Sequence, residues 1–238
     1  SGAADDFIVD GTTFVVEGDN NTVGIGTASP SSYNSNTNNL VIRDSGSGGI
    51  TISTGASNTG FLAFNDGEDT TIEGLIGYNQ SNDVMSFRTA STDDRLIIDG
   101  TGNIGIGASP TTFHATLTGV QIGGNAILQH ETAAGAGKTF KICQNVREQV
   151  SDGAFTKISN DEASLIELSG GGVNIKTSPT GTGTATMTSR FTVLQAGYVG
   201  IGTTSPDVLL DVGDSDHGSA GITGIQIQQS QDFSTVYD

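Results

Sequence analysis

Asn103-Ile104-Gly105-Ile106-Gly107-Ala108-Ser109-Pro110 alternates branched residues with glycine and then stops at Ser-Pro. It recurs as Val23-Gly24-Ile25-Gly26-Thr27-Ala28-Ser29-Pro30 and as Val199-Gly200-Ile201-Gly202-Thr203-Thr204-Ser205-Pro206. A worn copy, Val173-Asn174-Ile175-Lys176-Thr177-Ser178-Pro179, keeps the apolar pair and the Ser-Pro ending. The chain holds 4 prolines, and every one closes a copy, so the motif is a repeated module.

Alternation of Val or Ile with Gly has the period of a β-strand, which places branched side chains on one face and glycines on the other. The branched face is expected to be buried. A bare Gly face admits close approach of another backbone or ring, and several chains converging on a shared axis would supply one. Each strand glycine costs roughly 0.5–1 kcal/mol relative to Ala, so the close approach must offset it. Ser-Pro ends the strand, because proline has no amide hydrogen and biases its predecessor to extended geometry.

Outward from the motif, the same approach precedes each copy. Phe14-Val15-Val16, Arg95-Leu96-Ile97-Ile98 and Arg190-Phe191-Thr192-Val193 are apolar strands followed by polar or Gly-containing turns. The unit is strand, turn, Gly-alternating strand, Ser-Pro stop. Intervals between copies are too long and unequal for a solenoid of roughly 20–50-residue repeats and fit a string of small β modules.

The chain is divided accordingly into an N-terminal segment 1–30, a β repeat module 31–110, a less repetitive insert 111–189, and a repeat module with C-terminal segment 190–238. Within 31–110, strands are expected at 40–42, 50–52, 61–64, 72–78 and 84–87, the last two forming a hairpin. The insert carries runs at 113–128, 140–150 and 163–168, around a polar loop over 129–139. Phe140, Ile142, Val146 and Val150 lie partly on one helix face, but Thr139 lacks the Glu or Gln of a capping box, which favours strand. Strands are further expected at 208–212 and 222–228.

Composition agrees with short strands and many turns: 238 residues include 35 Gly and no Trp, with 34% hydrophobic and 15% charged residues. Regular Val/Ile alternation excludes disorder for most of the length. So thin a core per chain implies stabilisation by association between chains. The balance of 9 basic against 26 acidic residues, net −17, excludes nucleic acid and anionic membrane as partners. No apolar run approaches the ~18 residues of a membrane span, and no signal peptide is expected. The chain opens at Ser1 without Met and ends over 229–238 without a stop signal, as expected for a processed product or a piece of a longer chain.

Motifs of chemistry are missing or incomplete. Gly135-Ala136-Gly137-Lys138-Thr139 echoes a phosphate loop, but Thr132 stands where its first Gly is required. His114, His130 and His217 lie far apart without metal-ligand spacing, and the acidic groups at 66–73 and 214–216 match no calcium loop. Cys143 is the single cysteine and reads as a small buried hydrophobe. Aromatic residues at 6% weigh against a deep sugar cleft within one chain. Accordingly no catalytic, cofactor-binding or metal residues are assigned, and the chain is not expected to be an enzyme.

Ile76-Gly77-Tyr78-Asn79, Met85-Ser86-Phe87-Arg88-Thr89, Arg95-Leu96-Ile97-Ile98 and Gly102 to Gly107, with Val199 to Pro206 followed by Leu209-Leu210-Asp211-Val212, resemble repeats of the tail fibres and spikes of tailed bacteriophages. The resemblance covers 31–110 and 190–212 well, the N-terminal segment in part and 111–189 hardly at all. It implies an all-β, elongated, intertwined homotrimer in the virion tail, outside the cell. The family often carries a self-cleaving intramolecular chaperone downstream, so a chain without it would be a mature fibre or a fragment. The implied role is structural and adhesive: a trimeric shaft presenting a host-recognition region, with 111–189 the first place to seek a receptor contact. Implied partners are two further copies, other tail or fibre proteins, and a bacterial surface glycan or protein. The alternatives are a bacterial surface adhesin of similar build and a glycan-degrading spike. Divalent cations would help offset the acidity of three associated copies.

Overall fold

The computed structural model describes residues 6–67, 70–135, 138–148 and 154–213, and among these there is no α-helix. The chain forms two compact units, Ser1–Ser53 and Thr54–Asp238. In the first, β1 (Phe7–Val9), β2 (Phe14–Glu17), β3 (Thr22–Ile25) and β4 (Leu40–Ile42) make a 4-stranded sheet in sequence order.

The second unit holds β5 (Thr59–Phe64), β6 (Gly74–Asn79), β7 (Val84–Thr89), β8 (Thr92–Ile98), β9 (Ile104–Ile106), β10 (Leu117–Ile122), β11 (Ala126–Glu131) and β12 (Phe140–Gln144). These are followed by β13 (Val146–Glu148), β14 (Phe155–Lys157), β15 (Asp161–Ser169), β16 (Gly172–Gly181), β17 (Thr184–Ala185), β18 (Thr188–Val193), β19 (Val199–Ile201) and β20 (Leu210–Val212). Thirteen strands join one sheet, while β13, β14 and β17 leave it to form a separate 3-stranded sheet. Positions 110/111 and 189/190 both fall inside the large sheet's run of paired strands.

Each full repeat is built identically. β2 pairs antiparallel with β3, β8 with β9, and β18 with β19. After the Ser-Pro loop the chain returns parallel to the motif strand: β3 with β4, β9 with β10, β19 with β20. The two motif glycines do different work. A Cβ on Gly24 would stand 2.8 Å from the Thr27 carbonyl oxygen and 3.2 Å from the Pro30 ring. On Gly105 it would stand 2.8 Å from Pro110 Cδ, and on Gly200 2.5 Å from the Thr203 oxygen and 3.4 Å from Pro206 Cδ. The second glycine turns the chain off the strand at positive φ (75° at Gly26, 69° at Gly107, 77° at Gly202), where side chains are strained.

This corrects the expectation for the two faces. The Gly face is the covered one, closed by the chain's own Ser-Pro loop rather than by other chains, and it carries buried Val15, Ile97 and Thr192 directly opposite the glycines. The branched face is exposed: Ile25 at 40%, Ile106 at 43% and Ile201 at 44%. A loop that folds back over the strand needs bare backbone beneath it, and alternation then puts the isoleucines on the other side.

The fourth copy departs from the rule. β16 runs through Pro179 to Gly181 instead of stopping, and the β15–β16 register shifts there. Pro179 also lies beyond the last β16–β18 pair, Thr177 with Thr188, so its missing amide costs no ladder bond on that side. Ile50 to Ile52 form no strand, and β6 starts at Gly74 rather than Ile72. The stretch from Phe140 is strand, broken at Asn145 into β12 and β13. Residues 149–153 and the expected strand at 222–228 lie outside the described residues.

The main core lies between the covered face of the large sheet and the small sheet: Phe113, Leu117, Ile127, Cys143, Val146, Ala163, Leu165 and Ala185. Phe113 comes from the loop after Pro110, and its ring occupies the space a Cβ at Gly119 would need, 2.6 Å away. Asn145, at φ 57° and buried, is the corner that carries the chain from one layer to the other. Its amide donates to the Ser159 and Glu162 carbonyls, and its oxygen accepts from the Ser159 amide and hydroxyl. Beside it Lys141 is ion-paired with Glu148 at 2.6 Å, and Gln129 donates to the same carboxylate.

Candidate interaction surfaces

Register assigns every strand of the large sheet two faces, and one of them is apolar from edge to edge. Tyr78, Met85, Ile98, Ile104, Val120, Leu128, Ile142, Ile166, Ile175, Phe191, Ile201 and Val212 are consecutive cross-strand partners from β6 to β20. A flanking row continues it with Phe140, Leu168, Val173, Val193, Val199 and Leu210. Leu62, Ile76, Phe87, Leu96, Ile106 and Ile122 form a third. Nothing among the described residues covers this face: Ile122, Ile142, Ile166, Leu168, Ile175 and Ile201 are between 37% and 48% exposed. In the first unit, Ile25, Leu40 and Ile42 are exposed on the corresponding face of β3 and β4. Contiguous apolar surface beyond a few hundred Å² marks an interaction site.

The opposite face of β5 to β9 mixes polar and apolar side chains. It forms a groove of about 680 Å³ lined by Phe61, Leu75, Asn82, Ser86, Arg88 and Ile97 among others, with Asn79 and Ser109 also at its walls. Phe61 pairs across to Gly77 on β6, Gly77 to Ser86 on β7, and Ser86 to Ile97 on β8, so the floor is one cross-strand row. The Phe61 ring lies over Gly77, 3.2 Å from where a Cβ would be, and remains half exposed. Arg88 Nε is 3.4 Å from the Asp93 carboxylate, and Nη2 donates to the Ser91 carbonyl. Asp99 closes the β8–β9 turn. Burial raises its carboxyl, but hydrogen bonds from Thr101 and Asn103 outweigh burial and hold it below the usual carboxylate range.

Among the described residues, those weighed for chemistry are not brought together. Lys138 and Thr139 of the phosphate-loop echo bind the Glu131 carboxylate, Lys138 at 2.7 Å, while Ala136 and Gly137 lie outside the described residues. His114 contacts the Thr116 hydroxyl at 2.6 Å, and His130 is tilted against Phe140. His217, Asp214, Asp216, Glu68 and Asp69 are outside the described residues. Among the described residues no group of three or more His, Cys, Asp or Glu could hold a metal. Cys143 is buried, and burial pushes its thiol up to about 12. No helix among the described residues is long and apolar enough to cross a membrane.

The groove was not anticipated from sequence. Its signal was the alternation on the 74–89 hairpin, where Gly77, Asn79, Ser86 and Arg88 fall opposite Ile76, Tyr78, Met85 and Phe87. No protein-family model and no curated protein matches this chain.

Proposed function

We propose that this chain is a structural and adhesive segment of a phage tail fibre, associating with two further copies through its apolar sheet face and presenting the opposite face to the host surface. The observation that carries the reading is the repetition of exposed isoleucine at one motif position, Ile25 in the first unit and Ile106 and Ile201 in the second, the latter two belonging to the apolar rows of the large sheet. A surface repeated along a chain is matched most simply by the same repeats in another copy, in register and with closed symmetry. Burying it would also supply the apolar area that the thin core of one chain lacks. Three copies follow from the tail-fibre resemblance, and adhesion would then sum weak contacts by avidity.

Light scattering on the full chain tests the reading. A native mass near three times 24.2 kDa is expected. A stable monomer overturns it, and release of reducing sugar from a bacterial polysaccharide would replace it with the glycan-degrading spike.

A further inference from the structure

We infer that the groove over β5 to β9 is a binding site for a neutral saccharide. The inference rests on the fibre reading only for which way this face points; the chemistry belongs to the groove itself. About 680 Å³ falls within the size of small-ligand pockets and matches a few sugar rings in an open trough.

Sugars present two kinds of surface, an apolar C–H face and a rim of hydroxyls that both donate and accept. Phe61 offers the first a flat, half-exposed ring at the groove's outer side, held over Gly77, where any larger residue would displace it. Asn79, Asn82, Ser86 and Ser109 offer the second groups that donate and accept in the same way. Charge sets the class. Arg88 already faces the Asp93 carboxylate, and Asp99 also lines the groove, so an anionic sugar would meet no surplus positive charge. The site lies within 59–110, away from the 111–189 insert, whose equivalent face is filled by the small sheet and its core.

The test is binding of the full chain to an array of neutral hexose, deoxyhexose and N-acetylhexosamine oligomers, with sulfated dextran as the anionic probe. Binding to at least one neutral oligomer is expected, weakened about tenfold or more by Phe61→Ala. Asn82→Ala, on an exposed turn away from the core, should weaken the same oligomer and leave the unfolding temperature unchanged. No neutral oligomer bound, sulfated dextran alone bound, or binding indifferent to both variants overturns the inference. Native mass is read on the same samples: a trimer that binds no sugar sinks the groove alone, while a sugar-binding monomer sinks the fibre reading alone.

Discussion

Gly105 lies directly beneath Pro110: a Cβ placed on Gly105 would stand 2.8 Å from the proline Cδ and 3.0 Å from its nitrogen. The same contact recurs between Gly24 and Pro30 and between Gly200 and Pro206, so the motif's first glycine and its proline are one device. Gly105→Ala should therefore destabilise the second unit by about 1–3 kcal/mol, the cost of overpacking, because backbone and a rigid ring must move. Gly107→Ala meets no neighbour within 4 Å and should cost only the left-handed conformation, about 1–2 kcal/mol. Denaturant melts of the two variants check the order; a Gly105→Ala variant as stable as the parent would refute the tight seat of the Ser-Pro loop over the glycine.

The apolar ladder makes its own prediction. Ile142 and Ile166 are cross-strand partners at its middle, both exposed in the single chain. Ile142→Glu with Ile166→Glu should disperse any assembly, bringing the native mass to 24.2 kDa. Far-UV circular dichroism should remain that of a β protein if the chain folds before it associates. An unchanged mass would place the interface elsewhere.

At the layer corner, Asn145 combines a left-handed backbone with a fully bonded side chain. Asn145→Ala removes the side-chain partners of the Ser159 amide and of the Ser159 and Glu162 carbonyls and loses the residue type that tolerates this φ, a cost of about 1–3 kcal/mol. Thermal unfolding of the variant measures it. A drop no larger than that of a surface substitution would mean that the corner is held by the core alone.

Lys141 and Glu148 are a buried pair, their side chains 4% and 17% exposed. Lys141→Ala should cost about 3–5 kcal/mol by stranding the carboxylate among Gln129 and the core. Replacing both partners with apolar residues of similar size should cost far less, and the double-mutant cycle separates the pair from the packing of the lysine stem.

The all-β class, the strand-turn-strand unit and the Ser-Pro stops were legible because period-two alternation and proline act locally. Which face would be buried was not. Alternation says only that Gly and Ile point apart; the outcome depended on a loop folding back over Gly24, Gly105 and Gly200, a non-local contact. The 140–150 ambiguity had a similar source. One left-handed residue at Asn145 shifts the apolar phase between Ile142 and Val146, which mimics a helical spacing. Pro179 misled in the other direction, since a register shift lets a proline lie inside a strand.

Turn carboxylates give the chain a pH dependence whose sign is fixed. Hydrogen bonds from Ser31 and Thr22 lower the Glu17 carboxyl despite some burial, and those from Thr101 and Asn103 outweigh burial at Asp99. Both folded-state values lie below the unfolded ones. Their stabilisation is thus complete above the unfolded carboxylate range and is lost as pH falls through the folded values. Between neutral pH and about 5 the unfolding midpoint should be flat with respect to these two groups, and below about 4 it should fall. Asp99→Asn keeps the turn's shape but cannot accept at both oxygens, so it should be less stable at neutral pH and show a shallower acid decline. Parallel acid slopes for parent and variant would assign the decline to other carboxylates and refute the role given to Asp99.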